Sequence, residues 1–194
     1  TGCRWTDSPT KAKELQQSGQ MSKIPFDLTK IKGVAFDVDG VLSPSVIPLG
    51  TDGIPRRMAN IKDGYALQLA VRCGLKIAII SGAVADGLTE RFAHLGITDV
   101  FLGAGMKREV FERWMEHNGL SPAETVFVGD DIPDSECMRI AALGVAPADA
   151  APDIIGIAGY VSPANGGYGV ARDLLEEILR SKGQWPSTDK ANGW

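Results

Sequence analysis

The stretch Val34 to Leu42, VAFDVDGVL, runs an apolar strand directly into two aspartates one residue apart and closes on glycine. Side chains alternate faces along a strand, so Asp37 and Asp39 leave from the same side, and Gly40 lets the backbone turn sharply beyond them. Two carboxylates about 5 Å apart repel by roughly 3 kcal/mol at an effective dielectric of about 20. An ionised pair in a cleft therefore calls for a cation, and hard oxygen ligands point to Mg2+. The same letters also describe a strand ending in an Asx-type turn with solvated acids, so the rest of the chain must decide.

Outward from that motif, strand-sized apolar runs alternate with longer helical patterns, which is the signature of parallel βαβ units. Strands are expected at Gly33–Val38, Lys76–Ile80, Val100–Leu102, Thr125–Val128 and Leu143–Val145, with a short one ending at Tyr160 and Val161. Helices are expected at Asp63–Cys73, Val84–Leu95, Lys107–Asn118 and Pro133–Ala142. The fold class that follows is α/β, a doubly wound, Rossmann-like parallel sheet. Residues 43–61 break the rhythm, because β-branched residues flank the turn signal GTDG at Gly50–Gly53, and a β-hairpin insert is expected there.

Composition narrows the class of function. A chain of 194 residues with 44% hydrophobic and 23% charged content is ordinary for one globular domain. Its formal net charge of -4, without a Lys/Arg run, argues against a nucleic-acid partner. No apolar run is long enough to span a membrane. Cys3, Cys73 and Cys137 form no CxxC pair, which argues against a disulfide framework or structural zinc and fits a reduced, cytoplasmic setting. Residues 1–22 are polar and poorly patterned and are expected to be a disordered extension; residues 183–194 are expected to be an irregular tail with two tryptophans. The domain proper is expected over 23–182.

In an open α/β sheet the ligand lies beyond the carboxyl ends of the strands, so the polar residues there belong together. They are Asp37 and Asp39 after the first strand, Ser81 and Gly82 after the second, Lys107 after the third, and Asp130, Asp131 and Asp134 in VGDDIPD after the fourth. His94 and His117 lack a partner at ligand spacing, and Phe111 with Trp114 forms a core stripe.

These four strand ends, in this order, resemble the haloacid dehalogenase superfamily of aspartate-dependent phosphotransferases. The resemblance implies that Asp37 is a nucleophile forming an aspartyl-phosphate and that Asp39 protonates the leaving alcohol and then deprotonates water. It implies Mg2+ ligands from the Asp37 carboxylate, the Asp39 backbone carbonyl and the Asp130 carboxylate, with Asp131 and Asp134 supporting them. Ser81 and Lys107 would bind phosphoryl oxygens; the plainer roles are a helix cap for Ser81 and a solvated lysine for Lys107.

Only 44 positions separate Asp37 from Ser81, and 26 separate Ser81 from Lys107, which leaves no room for a large cap domain. With NIKDGYAL (Asn60–Leu67), RFAHLGI (Arg91–Ile97) and NGGYGVARDLLEEIL (Asn165–Leu179), the chain resembles the capless 3-deoxy-D-manno-octulosonate 8-phosphate phosphatases. That resemblance implies a small phosphorylated sugar acid as substrate, with contacts at Asn60, Lys62, Asp63, Gly64 and Arg91. It also implies a role in lipopolysaccharide precursor synthesis and a homotetramer in which neighbouring subunits complete each site. Lys62, Gln68 and Ala83 stand where family members often carry arginine, which keeps open a nine-carbon keto-deoxy sugar acid 9-phosphate as substrate. A non-catalytic oligomerisation module is the rival from another class.

Overall fold

The structure, a computed structural model, describes residues 22–187. Six strands, β1 (Gly33–Phe36), β2 (Lys76–Ile80), β3 (Asp99–Phe101), β4 (Thr125–Val128), β5 (Leu143–Ala146) and β6 (Tyr160–Val161), form one sheet in the order β3-β2-β1-β4-β5-β6. Every neighbouring pair is parallel. The order reverses between β1 and β4, so the switch point of the sheet falls between the strands that precede Asp37 and Asp130.

Alternation within each strand distributes side chains to two buried faces. Val34, Phe36, Ile77, Ile79, Val126 and Val128 pack with α1 (Ile61–Arg72), α2 (Asp86–His94) and α6 (Val170–Ser181). Ala35, Ala78, Ile80 and Phe127 pack on the other side with α3 (Lys107–His117), α4 (Ser135–Ile140) and α5 (Pro152–Ile157). Phe111 and Trp114 do fill this second layer, with Phe111 edge-on to Phe127 at a ring distance of 5.2 Å.

The expected helix over Pro133–Ala142 is shorter and begins later. Asp131 accepts from the Ile132 amide, which makes residues 132–134 a 3-10 turn, and α4 starts only at Ser135. The expected Val84–Leu95 helix also starts later, at Asp86. Neither α5 nor α6 was among the helical segments read from the sequence.

The insert is a hairpin in outline only. One antiparallel bridge, Leu49 with Pro55, flanks the Gly50–Gly53 turn, supported by hydrogen bonds from the Gly50 amide to the Ile54 carbonyl and from the Arg56 amide to the Pro48 carbonyl. Pro44, Pro48 and Pro55 offer no N–H, so the ladder cannot lengthen. No large cap occurs among the described residues.

Of the expected N-terminal extension only Ser22 is described, and its hydroxyl donates to Glu177. At the other end Trp185 folds back onto the domain, with the Arg172 guanidinium 4.5 Å from its ring centre and Tyr65 edge-on. The last residues of the expected tail, 188–194, lie outside the described residues. The loop before α6 touches the first motif directly: a Cβ on Gly166 would stand 2.0 Å from the Gly40 carbonyl oxygen, and the Gly167 amide donates to the Val41 carbonyl.

Candidate active site

β1 delivers Asp37 to the switch point, where its amide donates to the Val128 carbonyl and its Oδ1 accepts from the Val38 amide at 2.7 Å. β4 delivers Asp130 to the same place. Gly40 has φ +82°, and a Cβ there would lie 1.9 Å from an Asp130 carboxylate oxygen, so only glycine lets the turn close against that acid.

Lys107 opens α3 and is 7% exposed, which removes the solvated reading. Its Nζ lies 2.9 Å from Asp37 Oδ2 and 2.7 Å from Asp134 Oδ1. Asp134 Oδ2 accepts from the Asp130 and Asp131 amides, so both of its oxygens are already engaged. Asp131 is exposed and caps its own turn. The geometry therefore makes Asp134 a brace that fixes Lys107 and the Asp130 loop.

Carboxylate oxygens of Asp37, Asp130 and Asp134 lie within 4.8 Å of one another. Burial first, then repulsion from Asp134, Asp37 and Asp131, pushes Asp130 up to about 7. Burial and Asp37 push Asp134 up to about 6, although Lys107 pulls the other way. Burial would lower the Lys107 pKa, but Asp134 and Asp37 outweigh it and the pKa rises. One lysine thus leaves negative charge over, and an oxygen-liganded divalent cation fits this donor set.

The cluster lines an open cleft of about 620 Å³ together with Asp39, Ser45, Ser81, Gly82 and Lys107. Ser81 is buried, and its Oγ accepts from the Ala83 amide, which leaves its own proton to donate. It lies five residues before α2 and does not cap that helix.

Of the other expected contacts, Asn60, Asp63, Gly64 and Arg91 line a second, apolar pocket of about 40 Å³ that shares no lining residue with the cleft. Asn60 Oδ1 caps α1 by accepting from the Lys62 and Asp63 amides, and its Nδ2 donates to the Gly167 carbonyl. Asp63 Oδ1 accepts from the Arg172 amide in the first turn of α6, while its Oδ2 has no partner; burial pushes its pKa to about 6. Arg91 lies against Gly64, and Lys62 is exposed.

Two residues of the insert were missed. Ser45 lines the cleft, and Arg57 makes a two-pronged pair with Asp39, Nε to Oδ1 at 2.7 Å and Nη2 to Oδ2 at 2.8 Å. The doublet Arg56-Arg57, the insert's only basic residues, was the available signal.

A buried lysine spanning two acids at the switch point of a parallel sheet matches what phosphoryl transfer to an aspartate demands, a nucleophile with the charge to hold its target. Comparison with known proteins agrees. Residues 88–174 match the family model for haloacid dehalogenase-like hydrolases. The chain is 36% identical over 163 residues to the 3-deoxy-D-manno-octulosonate 8-phosphate phosphatase of Escherichia coli K12, covering 84% of this chain and 85% of that protein. The Yersinia pestis phosphatase structure superposes with a TM-score of 0.78 at 31% identity, covering 81% of this chain and 85% of that one. The Moraxella catarrhalis phosphatase, crystallised with magnesium, phosphate and the sugar acid, gives 0.78 at 28% identity, covering 83% and 92%. The chain belongs to the 3-deoxy-D-manno-octulosonate 8-phosphate phosphatase family of haloacid dehalogenase-like hydrolases.

Proposed function

We propose that this chain is a Mg2+-dependent phosphatase that hydrolyses 3-deoxy-D-manno-octulosonate 8-phosphate to the free sugar acid and phosphate, in the cytoplasmic supply of lipopolysaccharide precursors. The observation that carries this reading is Asp37 held against buried Lys107 within the acidic cluster, in a chain 36% identical to an enzyme of that name.

Asp37, Asp130 and the Asp39 backbone carbonyl would hold Mg2+, which when bound supplies the charge that draws the phosphoryl group and the nucleophile together. Ser81 and Lys107 bind phosphoryl oxygens, and the Gly82 backbone borders them. An Asp37 carboxylate oxygen attacks phosphorus, the ester bond breaks, and the departing sugar oxygen takes a proton from Asp39. Water then attacks the aspartyl-phosphate, Asp39 takes its proton, and Asp37 is regenerated as phosphate leaves.

The insert supports assembly. It exposes Val46 (86%), Leu49 (70%), Ile54 and Met58, and the apolar stripe continues to Ile61 (71%). Patches of this kind mark interaction sites, and a homotetramer buries this one against its copies. Lys62 and Arg91 then serve a neighbouring subunit's cleft, with Asn60, Asp63 and Gly64 shaping the segment that presents them.

Phosphate release from the eight-carbon and nine-carbon keto-deoxy sugar acid phosphates, with and without Mg2+, tests this reading. A preference for the eight-carbon ester that vanishes on chelation is expected. Preference for the nine-carbon ester would reassign the substrate, and a folded protein inert towards both would indicate an oligomerisation module.

A further inference from the structure

The geometry points to Arg57 as a positioning residue that aims Asp39 at the leaving oxygen and so couples proton delivery to the seat of the insert. This inference rests on the assignment of Asp39 as the acid and base of the reaction.

Lys107 pairs with Asp37 and Asp134 but not with Asp39, whose side chain lines the cleft and is 35% exposed. A short carboxylate there is free to rotate unless something holds it. Arg57 supplies that hold from the opposite side. Its own side chain is only 12% exposed, it borders the apolar pocket with Met58 and Leu42, and its guanidinium bonds both Asp39 oxygens. Two parallel N–H···O bonds fix both the direction and the plane of a carboxylate, which a lysine ammonium cannot do.

The neighbouring Arg56 pairs with Asp52 inside the insert and so acts only locally. Met58 donates its amide to Ser43 Oγ, anchoring the segment on which Arg57 rides. The insert is therefore pinned to the first motif at Arg57, while Met58 ties the insert's two ends together. Each Asp39 oxygen has a second lone-pair site beyond its bond to the guanidinium. One such site carries the proton given to the sugar oxygen in the first step and receives the proton of the attacking water in the second. Arg57 gains and loses no proton in either step.

Leaving-group dependence tests this assignment. Arg57→Met, Arg57→Lys, Asp39→Asn and the control Arg56→Gln are assayed in the intact protein with Mg2+, using an alkyl phosphate and p-nitrophenyl phosphate. The aryl oxygen departs without a proton; the alkyl oxygen needs one. Arg57→Met is expected to lower kcat/KM on the alkyl ester at least tenfold, through kcat rather than KM, and to leave kcat/KM on the aryl ester, which reports only the steps through aryl departure, within threefold. Arg57→Lys should recover part of the loss, Arg56→Gln should match the parent, and Arg57→Met should add nothing on the Asp39→Asn background. Equal loss of kcat/KM on both esters, a pure rise in KM, or faster turnover would overturn the positioning role. If Asp39→Asn shows no leaving-group dependence, the acid–base reading itself fails; if it does and Arg57→Met does not, only the Arg57 assignment falls. Far-UV circular dichroism confirms that each variant is folded.

Discussion

Asp134 and Asp63 are equally inaccessible, at 1% and 2% exposure, and burial pushes both up to about 6, yet their surroundings differ in kind. Both Asp134 oxygens are engaged, by Lys107 and by two backbone amides, and two further carboxylates converge on the same space. Asp63 has one oxygen on the α6 amide of Arg172 and the other without a hydrogen-bond partner, and it lines the apolar pocket. A raised pKa alone does not separate a site from a scaffold. Countercharge and convergence do: the first acid braces Lys107 and the Asp130 loop, and the second closes a helix end.

The largest test of that contrast is Asp37→Asn, which should cut turnover by about 10⁴-fold or more while the protein stays folded, because the covalent step is lost. Near-normal phosphate release would break the assignment. Lys107→Met comes next. Removing one oxyanion-stabilising donor costs about 10²- to 10³-fold in kcat. Stranding buried Asp37 and Asp134 also costs about 3 kcal/mol or more in stability, so kcat and the denaturant midpoint should fall together.

The smallest effect belongs to Asp63. Its folded pKa of about 6 lies above its ordinary 3.8, so the native state holds the proton more tightly than the unfolded chain does. Its contribution to stability is full below about pH 4 and is lost as pH rises through 6, by about 3 kcal/mol in all. Asp63→Asn keeps the oxygen that accepts from Arg172 and should flatten that slope, leaving kcat within about threefold. Unfolding curves between pH 4 and 8 would show it, and a collapse of kcat would instead place Asp63 at the substrate.

The sheet was legible because parallel strands buried on both faces announce themselves as apolar runs, and because Asp37, Ser81, Lys107 and Asp130 each follow such a run. What the sequence hid were matters of three-dimensional approach. Asp131 and Asp134 look alike in VGDDIPD, and only the fold shows one capping a turn in solvent and the other buried against Lys107. Arg57 lies in the insert, where prolines suppress the alternation that would have fixed its facing, so its pairing with Asp39 could not be read from spacing. Asp63 and Asn60 carried a family expectation of substrate contact, but their bonds to α6 and its preceding loop link distant stretches of chain, which no local pattern encodes.

The near-contact of Gly166 with the Gly40 carbonyl sets an order of events during synthesis. A growing chain displays the strand that bears Asp37 early, but the loop that moulds the turn behind it is translated only after all six strands. The site thus acquires its contour only once that loop has been made, and a product truncated before Gly166 would emerge with its motif spelled out and the turn behind it unshaped.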